Sequence, residues 1–312
     1  MFRRQGTLLL LAALALALPG CERDDSKGAS EPPPPGLPEP REPIPRAPDR
    51  LGRVLTDTTE ALRRAIDGWV GAGPPERGGP PREVTLLALY QQRIYVLLTD
   101  RPRLARRTIA GLPRSVRREA RDTVTARRQL SRITLPTRRI RFRTGSSLPA
   151  GVLLGYYREA QRRFRVSWRV LAAVNFVESA FNKLRSDSSA GAQGPMQFIP
   201  STWRAYGMGG EVRDPHDAVL GAANYLRASG APRSYRNALY AYNRSWRYVD
   251  AVLRLARGIR REPRSYYALY SWQVFVKTPS GPRRITGPGP DRPPAATRGG
   301  SAARAVPKDK KL

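Results

Sequence analysis

One carboxylate, Glu178, stands out among the residues that could carry chemistry. It follows the apolar run WRVLAAVNFV (168–177) and precedes a loop of small residues. Apolar neighbours, Phe176 and Phe181 among them, would keep water from the carboxyl group and raise its pKa. A carboxyl group that stays protonated near neutral pH can donate a proton to the leaving oxygen of a glycosidic bond. The alternative is a helix-end glutamate that points into solvent.

The rest of the sequence offers few other catalytic groups. His216 is the single histidine and Cys21 the single cysteine, so neither a zinc site nor a disulfide within the chain is expected. The sequence contains no nucleophile-elbow motif and no glycine motif for dinucleotides or phosphates. We therefore expect no metal and no cofactor, and chemistry carried out by carboxylates, amides, hydroxyls and aromatic side chains.

Short motifs follow Glu178 in a specific order. They are Glu178-Ser179, Phe181-Asn182, Ser188-x-x-Gly191-Ala192-x-Gly194-x-Met196-Gln197, Pro200-Ser201-Thr202-Trp203 and Ala241-Tyr242-Asn243. Their order and spacing resemble the soluble lytic transglycosylase (SLT) family, whose members share a lysozyme-like fold. The resemblance extends over residues 150–260, about a third of the chain.

Members of that family cleave peptidoglycan between N-acetylmuramic acid and N-acetylglucosamine. The resemblance implies that Glu178 acts first as an acid on the glycosidic oxygen and then as a base on the C6 hydroxyl group. The product would be a 1,6-anhydro sugar, formed without water. The resemblance also assigns five residues to substrate binding: Ser188, Met196, Gln197, Tyr242 and Asn243. Packing in the core is the alternative role for Met196.

Three positions depart from the family pattern. Lys183 stands where proline is usual, Pro195 where leucine is commonest, and RSW (244–246) where a glycine-rich stretch often follows. A second acid would change the chemistry, because Asp187 could hold a water molecule for hydrolysis, as in a lysozyme-type muramidase. A non-catalytic wall-binding scaffold that kept the fold is a further alternative.

The N-terminus predicts where the protein works. Arg3 and Arg4 precede an apolar run at 8–18, which is short for a membrane span and typical of a signal peptide. The run ends in LPGC, which resembles the lipobox of bacterial lipoproteins, so Cys21 is the expected lipidation site. We expect an extracytoplasmic protein, lipid-anchored to the bacterial membrane and facing the cell wall. Plain secretion and an uncleaved short anchor are the alternatives.

The composition favours an anionic partner. Lysine and arginine number 56 against 25 aspartates and glutamates, a formal net charge of +31. Such a charge attracts nucleic acid, acidic lipid or an acidic polymer, although a coding bias towards arginine would produce the same excess. A signal peptide argues against nucleic acid. The expected partners are peptidoglycan glycan strands, the membrane through the lipid anchor, and anionic wall polymers.

Periodicity and composition divide the chain into segments. We assign 1–20 to the signal peptide, 21–50 to a Pro-rich disordered linker, 51–135 to a helical region of unknown role, 148–262 to the SLT-type catalytic domain, 263–286 to a C-terminal extension with a hairpin, and 287–312 to a disordered basic tail. The predicted fold is mostly α: a lysozyme-like helical catalytic domain, a small helical N-terminal region and a short β-hairpin near the C-terminus. Residues 138–144 also show a short-strand pattern.

Overall fold

The computed structural model describes residues 36–289 except 74, 76, 139 and 140. In this part of the chain, eleven helices precede one two-stranded antiparallel sheet. The elements are α1 (Pro48–Gly71), α2 (Arg82–Asp100), α3 (Pro102–Gly111), α4 (Arg114–Ser131), α5 (Ala150–Phe164), α6 (Trp168–Ser179), α7 (Pro200–Tyr206), α8 (Pro215–Ala228), α9 (Tyr235–Tyr242), α10 (Trp246–Arg261), α11 (Arg264–Ser271), β1 (Phe275–Thr278) and β2 (Gly281–Arg284). The predicted mostly α fold with a short C-terminal hairpin is confirmed. The predicted signal peptide, Cys21 and the basic tail from 290 onwards lie outside the described residues.

Capping residues fix the starts of two helices near the candidate acid. The Asp214 carboxylate accepts hydrogen bonds from backbone N–H groups in the first turn of α8, and Pro215 occupies the first helical position. The Ser245 hydroxyl accepts a hydrogen bond from the N–H of Tyr248 in α10. Both helices therefore begin where a side-chain oxygen satisfies the otherwise unpaired N–H groups of the first turn.

The N-terminal helices pack directly on the helices that follow. Arg247, near the start of α10, donates to Gln129 near the end of α4, whereas Arg254, further along α10, reaches Asp122 earlier in α4. These contacts show that α4 and α10 run antiparallel along their shared face. Buried side chains from α1, α2 and α4 belong to the same hydrophobic core as those of α5, α6, α8 and α10. Residues 51–135 thus share one core with the predicted catalytic domain.

The segment after α10 begins with a helix that the sequence analysis missed. Only a hairpin was predicted for 263–286, but α11 precedes it and packs against α1, α2 and α6. The prediction of a strand at 138–144 is wrong for the described part of that segment. There Thr144 forms an isolated bridge with Leu184, and Phe142 packs against a small apolar cluster that includes Leu184 and Val274.

The described end of the predicted linker lies against α2. The Tyr90 hydroxyl donates to the carbonyl oxygen of Pro43 (2.9 Å), and the Arg93 guanidinium donates to that of Glu42 (2.7 Å). Two apolar side chains of this segment also pack against the core, Leu37 and Ile44. Residues 36–50 are therefore part of the folded domain. Within the described residues, no helix has both the length and the apolar character needed to cross a bilayer.

We expect Asp122→Ala to weaken the contact between α4 and α10. The Asp122 carboxylate accepts hydrogen bonds from Arg254 (3.0 Å) and Arg261 (2.5 Å), and its side chain is only 17% exposed. Its loss removes the shared partner of two partly buried guanidinium groups, so the free energy of unfolding should fall by about 2 kcal/mol. Urea unfolding measures this change.

Asp67→Ala is the matched control for that substitution. Asp67 also pairs with an arginine, Arg264, but its side chain is 54% exposed. Solvent screens such a pair, so the expected loss is below about 1 kcal/mol. An equal loss in the two variants would show that burial does not set the strength of the Asp122 contacts.

Candidate active site

Glu178 lies in the last turn of α6, inside the protein. Most residues of α6 are buried because the helix is apolar on nearly all sides, and Glu178 itself is 3% exposed. The helix ends abruptly, since Ala180, Phe181 and Asn182 all have positive φ values of 51–67°. This conformation is unfavourable for residues other than glycine. A hydrogen bond from the Asn182 N–H to the Ser179 hydroxyl (2.8 Å) helps to hold it.

The two carboxyl oxygens of Glu178 have different surroundings. Oε1 accepts a hydrogen bond from the Tyr248 hydroxyl (2.7 Å), whereas Oε2 is buried and has no hydrogen-bond partner among the described residues. Burial raises the pKa of Glu178 to about 8, and the hydrogen bond from Tyr248 opposes this rise. The carboxyl group therefore holds its proton at neutral pH, and one of its oxygens has no competing hydrogen bond from the described residues.

A small cavity lies beside Glu178. Its volume is about 40 Å³, which holds two or three water molecules. Its walls come from the end of α6, the second half of α4, the side chain of Gln92 in α2, and the junction between α11 and β1 (272–274). Ligand pockets usually exceed ~300 Å³. A sugar ring therefore reaches Glu178 only when these walls separate.

Tyr242 and Met196 occupy the interior next to Glu178. Burial raises the pKa of the Tyr242 hydroxyl group well above its ordinary value, and the charge of Glu178 adds to this rise. The same hydroxyl donates a hydrogen bond to the carbonyl oxygen of Met196 (2.6 Å). The Met196 side chain is fully buried in the core, so the structure favours packing over sugar contact for this residue.

Ser188 and Gln197 shape the loop that follows the acid. The Ser188 hydroxyl accepts hydrogen bonds from the N–H groups of Ala190 (3.2 Å) and Ala192 (2.9 Å). The Gln197 amide donates to the carbonyl oxygen of Gly194 (2.9 Å). Gly194 itself has a φ of +72°, and a Cβ there would lie 1.8 Å from a backbone oxygen, so only glycine fits. These contacts give Ser188 and Gln197 a part in loop structure; their sugar contacts remain predictions.

Asn243 differs from the other predicted binding residues. It is 3% exposed, and its side-chain Nδ2 has no hydrogen-bond partner among the described residues. A buried amide donor without a partner is unfavourable unless a ligand or water completes it. Asn243 therefore remains a candidate donor to substrate.

Tyr248 is a site residue that the sequence analysis missed. It lies in the first turn of α10, is completely buried, and is the side chain bonded to Glu178. The sequence marked Tyr242 through the Ala-Tyr-Asn motif, but Tyr248 lies in a helix whose pattern predicts only core packing. The nearby departure from the family pattern has a local explanation, because Ser245 caps α10 and Trp246 stacks on Tyr240 with ring centroids 4.3 Å apart.

Lys183 fastens the loop after the acid to α11. Its ammonium group donates hydrogen bonds to the carbonyl oxygens of Tyr270 and Trp272, the latter at 2.6 Å. Burial lowers the pKa of this ammonium group to about 7. The residue that replaces the usual proline thus satisfies two carbonyl groups at the end of α11, a position where positive charge is favourable.

Asp187, the candidate second acid, is held by arginines. Arg213 donates to both of its carboxylate oxygens (2.8 and 2.9 Å), and Arg143 lies 3.5 Å from one of them. A carboxylate paired in this way accepts its hydrogen bonds from guanidinium groups. The structure therefore gives Asp187 a role in the fold of the loop.

Potential metal-ligating groups also meet at the start of α8. Ligand atoms of Asp214, His216 and Asp217 lie within 4.8 Å of one another. Asp214 caps the helix, and His216 Nε2 lies 2.9 Å from a carboxylate oxygen of Glu159. These contacts account for the cluster, and the expectation that no metal takes part stays a prediction.

Comparison with known proteins identifies the segment around Glu178. Residues 155–257 match the family model described as "Transglycosylase SLT domain". Among curated proteins, Membrane-bound lytic murein transglycosylase F of Thiobacillus denitrificans (strain ATCC 25259 / T1) is 29% identical over 120 residues. That match covers 36% of this chain and 25% of the relative, so the chain spans about a quarter of the relative's length. No solved structure matches the chain.

We expect Tyr248→Phe to raise the pKa of Glu178 further. In the unmodified protein the hydrogen bond from Tyr248 favours the charged carboxylate and so lowers the pKa of Glu178. The substitution removes that hydrogen bond, and burial, which raises the pKa, then acts alone. The carboxyl group should then keep its proton to a higher pH than in the unmodified protein. Carbon-13 NMR titration of labelled glutamate side chains measures this, with Glu178→Gln used to assign the resonance. A titration midpoint that stays the same or falls would contradict the role given to Tyr248.

Proposed function

Because residues 155–257 belong to the transglycosylase SLT domain family, we propose that this protein is a lytic transglycosylase that cleaves peptidoglycan. The observation that carries the proposal is the state of Glu178. Burial raises the pKa of its carboxyl group to about 8, and its Oε2 has no hydrogen-bond partner among the described residues. This is the state that a general acid needs when it protonates a glycosidic oxygen.

In the proposed reaction, Glu178 acts twice on the bond between N-acetylmuramic acid and N-acetylglucosamine. Its carboxyl group first donates a proton to the glycosidic oxygen, which leaves with the electron pair of the broken C1–O bond. The carboxylate then accepts the proton of the C6 hydroxyl group, whose oxygen bonds to C1 and closes the 1,6-anhydro ring. Glu178 ends protonated, and no water is consumed.

Tyr248 stabilises Glu178 between the two proton transfers of this reaction. Glu178 is a carboxylate between the two proton transfers, and the hydrogen bond from Tyr248 favours that charged form. The acetamido group of the substrate assists at C1, so a second protein carboxylate is not required. A sugar that fills the opened cavity would keep bulk water from the site, which favours attack by the C6 hydroxyl group over hydrolysis.

The hydrolytic alternative needs a second carboxylate that activates water. Asp187 is the residue that the sequence offers for this role, but Arg213 occupies both of its oxygens. This pairing supports the non-hydrolytic reaction. A non-catalytic scaffold, the other alternative, would not need a buried carboxyl group, whose desolvation is unfavourable.

The proposed location is outside the cytoplasm, at the membrane. The apolar run at 8–18 and the LPGC sequence that ends at Cys21 support cleavage and lipidation at that cysteine. The relative from Thiobacillus denitrificans is named as a membrane-bound protein. Arginine-rich composition would favour encounter with the carboxylates of peptidoglycan and with anionic wall polymers.

We expect Cys21→Ala to release the protein from the membrane. The substitution removes the thiol that would carry the lipid, and the short apolar run alone does not anchor a cleaved chain. Immunoblotting of soluble and membrane fractions, with metabolic labelling by a radioactive fatty acid, measures both consequences. Unchanged membrane retention in the variant would reject the lipid anchor.

We expect Glu178→Gln to abolish cleavage, with activity falling at least about 1,000-fold. The amide cannot donate the required proton, although it has nearly the same shape as the carboxyl group. Thermal unfolding at pH 8 should show no loss of stability, because the variant no longer has to ionise a buried carboxyl group. Digestion of purified sacculi and mass spectrometry of the fragments provide the readout.

Asp187→Asn is the matched carboxylate-to-amide control. It should retain cleavage within about tenfold of the unmodified protein, because Asp187 holds a loop and takes no proton in the proposed reaction. The released fragments should have the mass of anhydro sugars. A muramidase would instead be established if the unmodified protein released fragments heavier by one water molecule per cut and the Asp187→Asn variant did not release them.

A further inference from the structure

Arg127, in the second half of α4, is a buried charge without a polar partner. The residue is 8% exposed, its Nε is buried without a hydrogen bond, and its described contact is aromatic, 5.3 Å from the Trp272 ring centroid. No ion pair or hydrogen bond joins it to the described residues. A buried guanidinium in this state is unfavourable. A ligand that enters next to this group can supply the missing partner.

The neighbouring arginine shows the contrast. Arg128 donates hydrogen bonds to the carbonyl oxygens of Leu98 (2.7 Å) and Thr99 (3.0 Å) and so completes the end of α2. Arg127 has no such role. Asp100 acts on it only through a longer-range attraction, and burial lowers the pKa of Arg127 to about 10, which leaves it charged at neutral pH.

Arg127 lines the same cavity as Glu178. The guanidinium and the carboxyl group form no ion pair or hydrogen bond with each other; the Glu178 carboxyl group is bonded to Tyr248 instead. At neutral pH the acid is protonated and uncharged, so the fixed charge on this cavity wall is that of Arg127. The cavity wall therefore carries a positive charge that can bind an anionic group of the substrate, separate from the acid.

We infer that Arg127 binds a carboxylate of the peptidoglycan strand and thereby aligns the strand on Glu178. This inference rests on the proposed function and adds a substrate-binding residue from the N-terminal helical region, outside the matched segment 155–257. The carboxylate comes either from the muramic acid residue itself or from the peptide attached to it. A guanidinium group presents two parallel N–H donors to such a carboxylate.

The volume of the cavity agrees with this role. About 40 Å³ accommodates a group the size of a carboxylate, whereas a whole sugar ring needs the walls to separate. The Trp272 ring lies against the guanidinium group. The strand would therefore insert its acidic substituent between α4 and the α11–β1 junction as the sugar ring reaches Glu178.

A comparison of two substrates tests the inference on the unmodified protein. One substrate is glycan strands freed of their peptides, and the other is the same strands after their carboxylates have been converted to amides. The full protein should show a KM at least about tenfold higher on the amidated strands, with a smaller change in kcat, because a charged hydrogen-bonded pair is lost. Equal KM values for the carboxylate and amide forms, both with and without the peptides, would overturn the inference. Strands that keep their peptides, with or without amidation, show which carboxylate is recognised.

Substitution of Arg127 completes the experiment. Arg127→Met should show the raised KM on both substrates and no longer distinguish them, and Arg127→Lys, which keeps the charge but not the two-donor geometry, should be intermediate. Arg118→Met removes an exposed charge from the same helix and should behave like the unmodified protein. A variant at Arg127 that still prefers the carboxylate form would overturn the inference.

The outcomes also separate this inference from the proposed function. Cleavage with equal KM for the carboxylate and amide forms, with and without peptides, leaves the transglycosylase assignment standing and removes Arg127 from substrate binding. Cleavage of neither substrate by the unmodified protein rejects both. Thermal unfolding of the Arg127 variants shows whether they fold, and the two-substrate comparison on the unmodified protein decides the question if they do not.

Discussion

Ionisation of Glu178 is opposed by its surroundings, and the rest of the candidate site depends on this constraint. An apolar helix carries the carboxyl group into the interior, where loss of water disfavours its negative charge. A single hydrogen bond from Tyr248 offsets part of that effect and supports the carboxylate when it forms. The balance between burial and one phenolic donor sets the pH range in which this group can both give and take a proton.

The cavity beside the acid is built by parts of the chain that lie far apart in sequence. The segment matched by the family model supplies Glu178 and Leu255, whereas α4 and the α11–β1 junction supply the facing wall. The N-terminal helices contribute a charged side chain to that wall as well as apolar packing. Support of the catalytic segment and contact with substrate are therefore compatible roles for the same helix.

The sequence predicted the parts of the structure that depend on local patterns. Helical periodicity and a turn flanked by apolar residues gave the mostly α fold and the hairpin, and the motif order placed Glu178 and Tyr242 together. Tyr248 and Arg127 could not be found in this way, because each becomes important only when separate helices pack. The wrong strand at 138–144 has a related cause: its alternation is real, but Phe142 packs on a loop rather than pairing in a sheet.

The antiparallel contact between α4 and α10 has a consequence for how this protein can be divided. A fragment limited to 155–257 would keep the acid and its phenolic partner but expose the face of α10 that α4 covers. It would also lose one wall of the cavity beside Glu178. The segment that the family motifs define is therefore smaller than the part of the chain that folds together. Transfer of this segment into another protein would require that protein to supply a helix that covers α10 as α4 does.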